Sequence, residues 1–234
     1  MQVLSNKIKN FDKIIQPGDV LLTRLNINDV LRTLTYFPVG TFIAHSASYL
    51  ARKKVIQTIA FKNIIVSPFV ELIKELGPYV HIYRYQKTIF NKKIQIKYIQ
   101  KLLEFQDKGI KYSITNVLGH LFYLKYHKPQ IKTNLKTMLN PPAQALYNPS
   151  KKTCSQLMLD ALIDALEDEP AKLKKLSILL GNENQCSFFP TLFPIITDYQ
   201  FTVYELDGKY LQVKYTPDEI LKLDTTWHPR LEME

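Results

Sequence analysis

Cysteine is nearly absent from this chain of 234 residues, which holds only Cys154 and Cys186. With no CxxC or HxxxH spacing around them, two thiols build neither a disulfide scaffold nor a zinc cluster. Neither a metal nor a cofactor is expected. Glycine is scarce as well, and its seven scattered residues exclude collagenous, linker-like and repeat architectures. The N-terminal stretch "MQVLSNKIKNFDKIIQPGDV" lacks the apolar run of a signal peptide. The longest weakly polar stretch, "TLTYFPVGTFIAHSASYLA", is interrupted by Pro38 and His45 and makes no convincing membrane span. These absences lead to the expectation of a reduced, cytoplasmic setting with both thiols free.

What the chain does contain is material for a core. Apolar residues make up 46% of it and aromatic residues 12%, enough for one large domain with a short appendage. The net charge of +10 is unevenly spread. Residues 87 to 136 carry eleven lysines against Glu104 and Asp107, whereas the segment from 201 onward has seven acidic residues against four basic ones. We place a domain over 1–206, with a basic insertion around 127–150, and an acidic tail over 207–234. A lysine-rich region can face an anionic membrane or nucleic acid, or simply form a solvated helix face. Tyrosine and phenylalanine among the lysines of 98 to 126 permit nucleic-acid stacking, but their helical core spacing speaks against it. Nothing in the sequence assigns an oligomeric state.

Strands are expected at "GDVLLTRL" (18 to 25), "TFIAHSASYL" (41 to 50), "KKVIQTIAF" (53 to 61) and "YVHIYRY" (79 to 85), and a late one at "YQFTVYEL" (199 to 206). "NIIVSPF" follows the third closely, and a turn near Arg52-Lys53 makes the second and third antiparallel neighbours. Short helices are read at "NINDVLRTLTYFPVG" and "VELIKEL". In 91 to 107, Ile94, Tyr98, Leu102 and Phe105 recur at helical spacing while Lys93, Lys97 and Lys101 form a stripe on another face. "YSITNVLGHLFYLKY" is a further, aromatic-rich helix, and 153 to 168 is a helix whose polar face is Asp160, Asp164, Glu167 and Asp168. Strands, then helices, then a strand indicate an α+β domain.

"TCSQLM" carries the chemistry. Thr153 and Gln156 match the capping-box pattern, which puts Cys154 at the first helical position. There the unpaired N–H groups and the positive end of the helix dipole favour a thiolate. Many structural helices begin in the same way, so from these residues alone Cys154 can equally be a core thiol. A nucleophile needs a base. Of the five histidines, His45 sits on a strand between Ala44 and Ser46, small neighbours that leave room beside the ring. His81, His120, His127 and His228 lie in less suitable contexts. The next strand offers Gln57, whose amide oxygen can accept the Nδ1–H bond and orient the ring. Cys186 repeats the Cys-Ser pair in "QCSF", but Phe188-Phe189-Pro190 follows it instead of an amphipathic helix.

In their order, "PGDVLL", "AHSASY", "VIQT", "KYSITNVLG" and "TCSQLM" resemble the circularly permuted NlpC-type papain-like cysteine hydrolases. That group includes the YiiX-like bacterial proteins and, more distantly, the lecithin–retinol acyltransferase relatives. The likeness covers about residues 14 to 206 and includes "FPTLF" near 190. It implies a permuted papain-like fold, an antiparallel sheet packed against helices, with Cys154 as nucleophile, His45 as base and Gln57 as the residue that orients the base. The implied reaction is cleavage of an amide or ester, in a cell-wall-type peptide or a lipid acyl group. Two departures stand out: YiiX-like members usually carry Glu where this chain has Gln57, and often Glu where it has Gln156.

Two functional classes stay open from the sequence. One is a thiol hydrolase or acyltransferase acting on a peptide or lipid substrate, with the lysine stripe favouring an anionic lipid or membrane surface. The other is a non-catalytic module of the same fold that binds an anionic membrane or a partner protein through its lysine-rich region.

Overall fold

The computed structural model describes residues 6–7, 14–24, 43–59, 63–76, 79–113, 150–180, 193–206 and 209–213. They form an α+β domain. In chain order the elements are β1 (Asn6–Lys7), β2 (Val20–Arg24), β3 (Ile43–Ala51), β4 (Lys54–Thr58), β5 (Ile64–Pro68), α1 (Phe69–Leu76), β6 (Tyr79–Tyr85), α2 (Lys92–Asp107), β7 (Lys111–Tyr112), β8 (Lys151–Lys152), α3 (Cys154–Ala165), α4 (Pro170–Leu179), α5 (Phe193–Ile196), β9 (Thr197–Leu206) and β10 (Lys209–Val213). Among the described residues, eight strands make one sheet in the order β1-β10-β9-β6-β2-β3-β4-β5. Every neighbouring pair in it is antiparallel. Strands β7 and β8 form a separate parallel pair.

The central strands read as nearly unbroken buried runs, Val20 to Thr23 on β2 and Val55 to Thr58 on β4, the pattern of strands covered on both faces. Helix α3 packs on β3 and β4, and α2 packs along α3. Ile94, Tyr98, Leu102 and Phe105 line the buried side of α2, as their spacing predicts, and the Asn91 side chain caps its first turn by accepting from the Ile94 N–H at 3.1 Å. Tyr98 meets Tyr85 and Phe90 edge-on, with ring centroids 5.5 and 5.6 Å apart. No helix among the described residues is long and apolar enough to cross a membrane.

Two differences from the sequence reading concern the chain's second half. Helix α4 begins at Pro170, a favourable first helical residue, so a short second helix follows the cysteine helix. The sheet also continues beyond residue 206: β10 pairs with β9 from Lys209–Leu206 to Val213–Thr202 and carries β1 on its far side. The boundary expected between 206 and 207 thus falls inside a β-hairpin. The expected aromatic helix starts at Tyr112, which instead ends the strand β7; its remainder from 114 on, the short helix at 26–40 and the basic insertion up to 149 lie outside the described residues.

The β3–β4 hairpin turns where expected, and its turn is strained. Arg52 and Lys53 have φ of 49° and 58°, the left-handed pair that a two-residue hairpin demands and that Asn-Gly supplies at low cost. Both side chains are exposed, so replacing them disturbs no packing. The double variant Arg52→Asn, Lys53→Gly is expected to gain about 1 kcal/mol, a Tm rise of about 3 °C by differential scanning fluorimetry. An unchanged or lower Tm would contradict the strain.

Candidate active site

The expected capping box is present. Thr153 Oγ1 accepts from the Gln156 N–H at 3.3 Å, and Gln156 Oε1 accepts from the Thr153 N–H at 3.0 Å. Gln in place of Glu at the third helical position therefore performs the capping role in full. The cap, one residue before Cys154, fixes the start of α3 at the cysteine itself. A buried ion pair steadies the same turn, Lys152 Nζ to Asp160 Oδ2, with the Lys152 ammonium 5.8 Å from the centre of the Phe105 ring of α2.

The structure brings the three residues singled out from the sequence to one place. His45 Nε2–H donates to Gln57 Oε1 at 2.9 Å, and Gln57 Nε2 donates in turn to Ser67 Oγ of β5 at 3.2 Å. His45 also lies in hydrogen-bonding and charge contact with the Cys154 thiol. Thiol, imidazole, amide and hydroxyl form one chain across α3, β3, β4 and β5. Cys154 is 6% exposed, His45 9% and Gln57 1%, so the chain runs through a nearly dry interior where each hydrogen bond is strong.

One expectation is corrected here. Gln57 was expected at Nδ1 of His45, but it holds Nε2. With the proton on Nε2 committed to the amide, Nδ1 is the nitrogen left to serve the thiol. Which ring nitrogen faces the next strand depends on the rotamer and on strand register, neither of which is written in residue types.

The strand pairing changes at the end of β3 that carries His45. The β2–β3 ladder continues through Thr23–His45 to Arg24–Ile43, and the β4–β5 ladder to Thr58–Ile64. The β3–β4 ladder, however, ends at Ser48–Ile56. At the end of the sheet nearest Cys154, β3 stays with β2 and β4 stays with β5. The N-terminus of α3 meets the sheet there, and the side-chain bond from His45 to Gln57 replaces the missing ladder.

Electrostatics at the sulfur reflect a contest. Burial pushes the Cys154 thiol up, but the His45 charge beside it, a hydrogen bond from His45 and further ones from Ser46 outweigh that, and the thiol is lowered to about 7. Among the described residues, no group of three or more His, Cys, Asp or Glu side chains is placed to hold a metal ion.

Several supports escaped the sequence reading. Ser67 was not foreseen, although a lone serine in the apolar run "IIVSP" was a signal. Asp19, buried at 1%, receives both Arg84 Nε and Nη2 at 2.8 Å and the Gln16 N–H at 2.8 Å. The "PGD" turn is therefore a clamp joining β2 to β6. Gly18 in it has φ of +88°, and a Cβ there would sit 2.9 Å from Phe90 Cζ, so both backbone conformation and space require glycine. His81 is buried on β6 with Nδ1 bonded to Thr202 Oγ1 at 2.8 Å, away from the thiol chain. His120, His127, His228 and Cys186 lie outside the described residues.

The lysine stripe on α2 is answered within the molecule. Lys93 pairs with Glu169 at 2.8 Å, Lys97 with Asp168 at 2.5 Å and Lys101 with Glu104 at 3.2 Å. Two of these partners follow the end of α3. Lys93 and Lys97 thus reach from α2 to the turn that follows α3, whereas Lys101 pairs within α2.

No family model matches this chain, and no curated protein sequence matches it either.

Proposed function

We propose that this chain is a thiol hydrolase or acyltransferase of circularly permuted papain-like type, acting on an amide or ester through Cys154, His45 and Gln57. The observation that carries the reading is the Cys154–His45–Gln57 chain, with a thiol lowered to about 7. Such a thiol is substantially ionised at neutral pH and is placed to attack. Its sulfur forms a bond to the carbonyl carbon, and the oxyanion that results is received by the Cys154 N–H, one of the unpaired donors that open α3. His45, holding the proton it took from the thiol, returns it through Nδ1 to the leaving amine or alcohol as that bond breaks. Water or a second alcohol or amine then attacks the thioester, giving its proton to His45, and the sulfur leaves as thiolate. Gln57 keeps the ring in one orientation and one tautomer throughout, as the third member of such a site must. The substrate proposed is a peptide amide or a lipid acyl group.

The test is the pH profile of alkylation by iodoacetamide, with the modified residue located by mass spectrometry. Cys154 is expected to react half-maximally near pH 7. The profile rises with pH because the thiolate reacts, and the limb is lost as the pH falls below that value. Cys154→Ala removes the limb. A Cys154 profile centred near that of a free thiol, about 8.5, would sink the enzyme reading and leave the non-catalytic binding module in its place.

A further inference from the structure

Ser46 is the residue next to His45 on β3, and its hydroxyl is fully buried without a hydrogen-bond partner. An unsatisfied buried donor is a standing cost in a folded protein, and this one lies at the sulfur. Its backbone is equally available. In an antiparallel sheet, alternate residues of a strand direct their N–H and C=O to opposite neighbours. Gly18 donates to the Tyr49 carbonyl, and Tyr49 donates to that of Asp19, so the odd-numbered residues of β3 are bonded toward β2. The even-numbered ones, Ser46 and Ser48, therefore point toward β4. At Ser48 the ladder with Ile56 receives them; at Ser46 there is no ladder pair left. The end of the ladder leaves the Ser46 N–H without a strand partner on that side, and the Ser46 hydroxyl is unpaired as well.

We propose that Ser46 is a further catalytic residue, whose N–H and hydroxyl hold the ionised sulfur of Cys154. The proposal rests on the thiol-enzyme reading and deepens it. The hydroxyl has no other partner to satisfy it, and a hydrogen bond to an anionic sulfur is stronger than one to a neutral thiol, so it favours the charged form. The hydrogen bonds by which Ser46 lowers the thiol agree with this. The other charges around the sulfur do not replace it. His45 faces it from β3, and β4 brings the uncharged Gln57. Lys152 and Asp160, on β8 and α3, are paired to each other. Helix α2 turns Phe105 inward and carries Glu104 and Asp107 on its exposed side, with Lys108 exposed just after it.

The experiment compares alkylation profiles of Cys154 for the parent protein, Ser46→Ala, Ser46→Thr and Ser48→Ala, all in a Cys186→Ser background. Ser46→Ala is expected to raise the midpoint by about one pH unit, with alkylation about threefold slower on the acid limb and, because a more basic thiolate is more nucleophilic, a plateau about threefold higher at high pH. Ser46→Thr, which keeps a hydroxyl, is expected to restore most of the shift. Ser48→Ala, which removes a buried hydroxyl bonded to the Asp19 carbonyl at 3.5 Å, should leave the midpoint in place. A parent profile near pH 7 with an unmoved Ser46→Ala profile would overturn the role of Ser46 alone. Equal shifts in Ser46→Ala and Ser48→Ala would also overturn it, as a general loosening of the strand. A parent midpoint at the free-thiol value would instead overturn the underlying enzyme reading.

Discussion

Replacing His45 by alanine is expected to remove most of the reactivity of Cys154 at neutral pH. The sulfur is buried, and burial is the strongest influence on it, pushing the thiol up. The His45 charge and hydrogen bond are the first things opposing that push. Without them the thiol returns at least to the ordinary range. If it moves from about 7 back to about 9, the thiolate fraction at neutral pH falls about fifty-fold. Alkylation falls by less, about tenfold, because a more basic thiolate is intrinsically more nucleophilic. Turnover of a cleaved amide or ester suffers more, by about 10²–10⁴-fold, since the leaving group also loses its proton donor. The two readouts should therefore separate: a modest loss in alkylation with a shifted midpoint, and a much larger loss in turnover. Equal losses in both, or an unmoved alkylation midpoint, would contradict the role assigned to His45. A melting curve on the same sample guards against simple unfolding.

The largest expected effect on stability belongs to Asp19. Its carboxylate is buried, and burial pushes its pKa up despite the opposing Arg84 hydrogen bonds, the Gln16 N–H and the Arg84 charge. Desolvation thus outweighs attraction, so the pair is held in place by the fold more than it stabilises the fold outright. In that situation removing one partner is costly and removing both need not be. Asp19→Ala leaves Arg84, whose side chain is 24% exposed, facing an empty clamp. We expect a loss of about 3 kcal/mol, a drop in Tm of about 10 °C. Asp19→Ala combined with Arg84→Met should recover part of that loss, and a double-mutant cycle measures how much. Strictly additive losses would contradict the coupling. The clamp also bears on the site, because the same turn hydrogen-bonds β3 at Tyr49, four residues beyond His45.

The parts of the molecule that were legible in the sequence are those set by neighbours along the chain. Alternation of β-formers placed β3, β4 and β6, the Arg52-Lys53 turn followed from their spacing, and the Thr153–Gln156 box located the start of α3. What was not legible depends on partners far away. Strand β10 is five residues long and gains its identity from β9 and β1. The fates of Lys93 and Lys97 depend on where α3 ends, some 70 residues later. The choice of Nε2 over Nδ1 follows from the relative placement of β3 and β4, and the ladder that stops at Ser48 leaves no mark in composition. The residues of the site could be chosen by type, but their roles toward one another could not.

Gln57 has a consequence that reaches beyond orientation. A carboxylate at that position would leave the site with a net negative charge whenever sulfur and ring form an ion pair. With an amide, the two charges of the pair sum to zero. The interior then holds a dipole in place of a net ion, whose field decays faster with distance and whose burial requires no counter-cation. Such a site should respond weakly to ionic strength, and it asks for no cationic residue nearby to balance it.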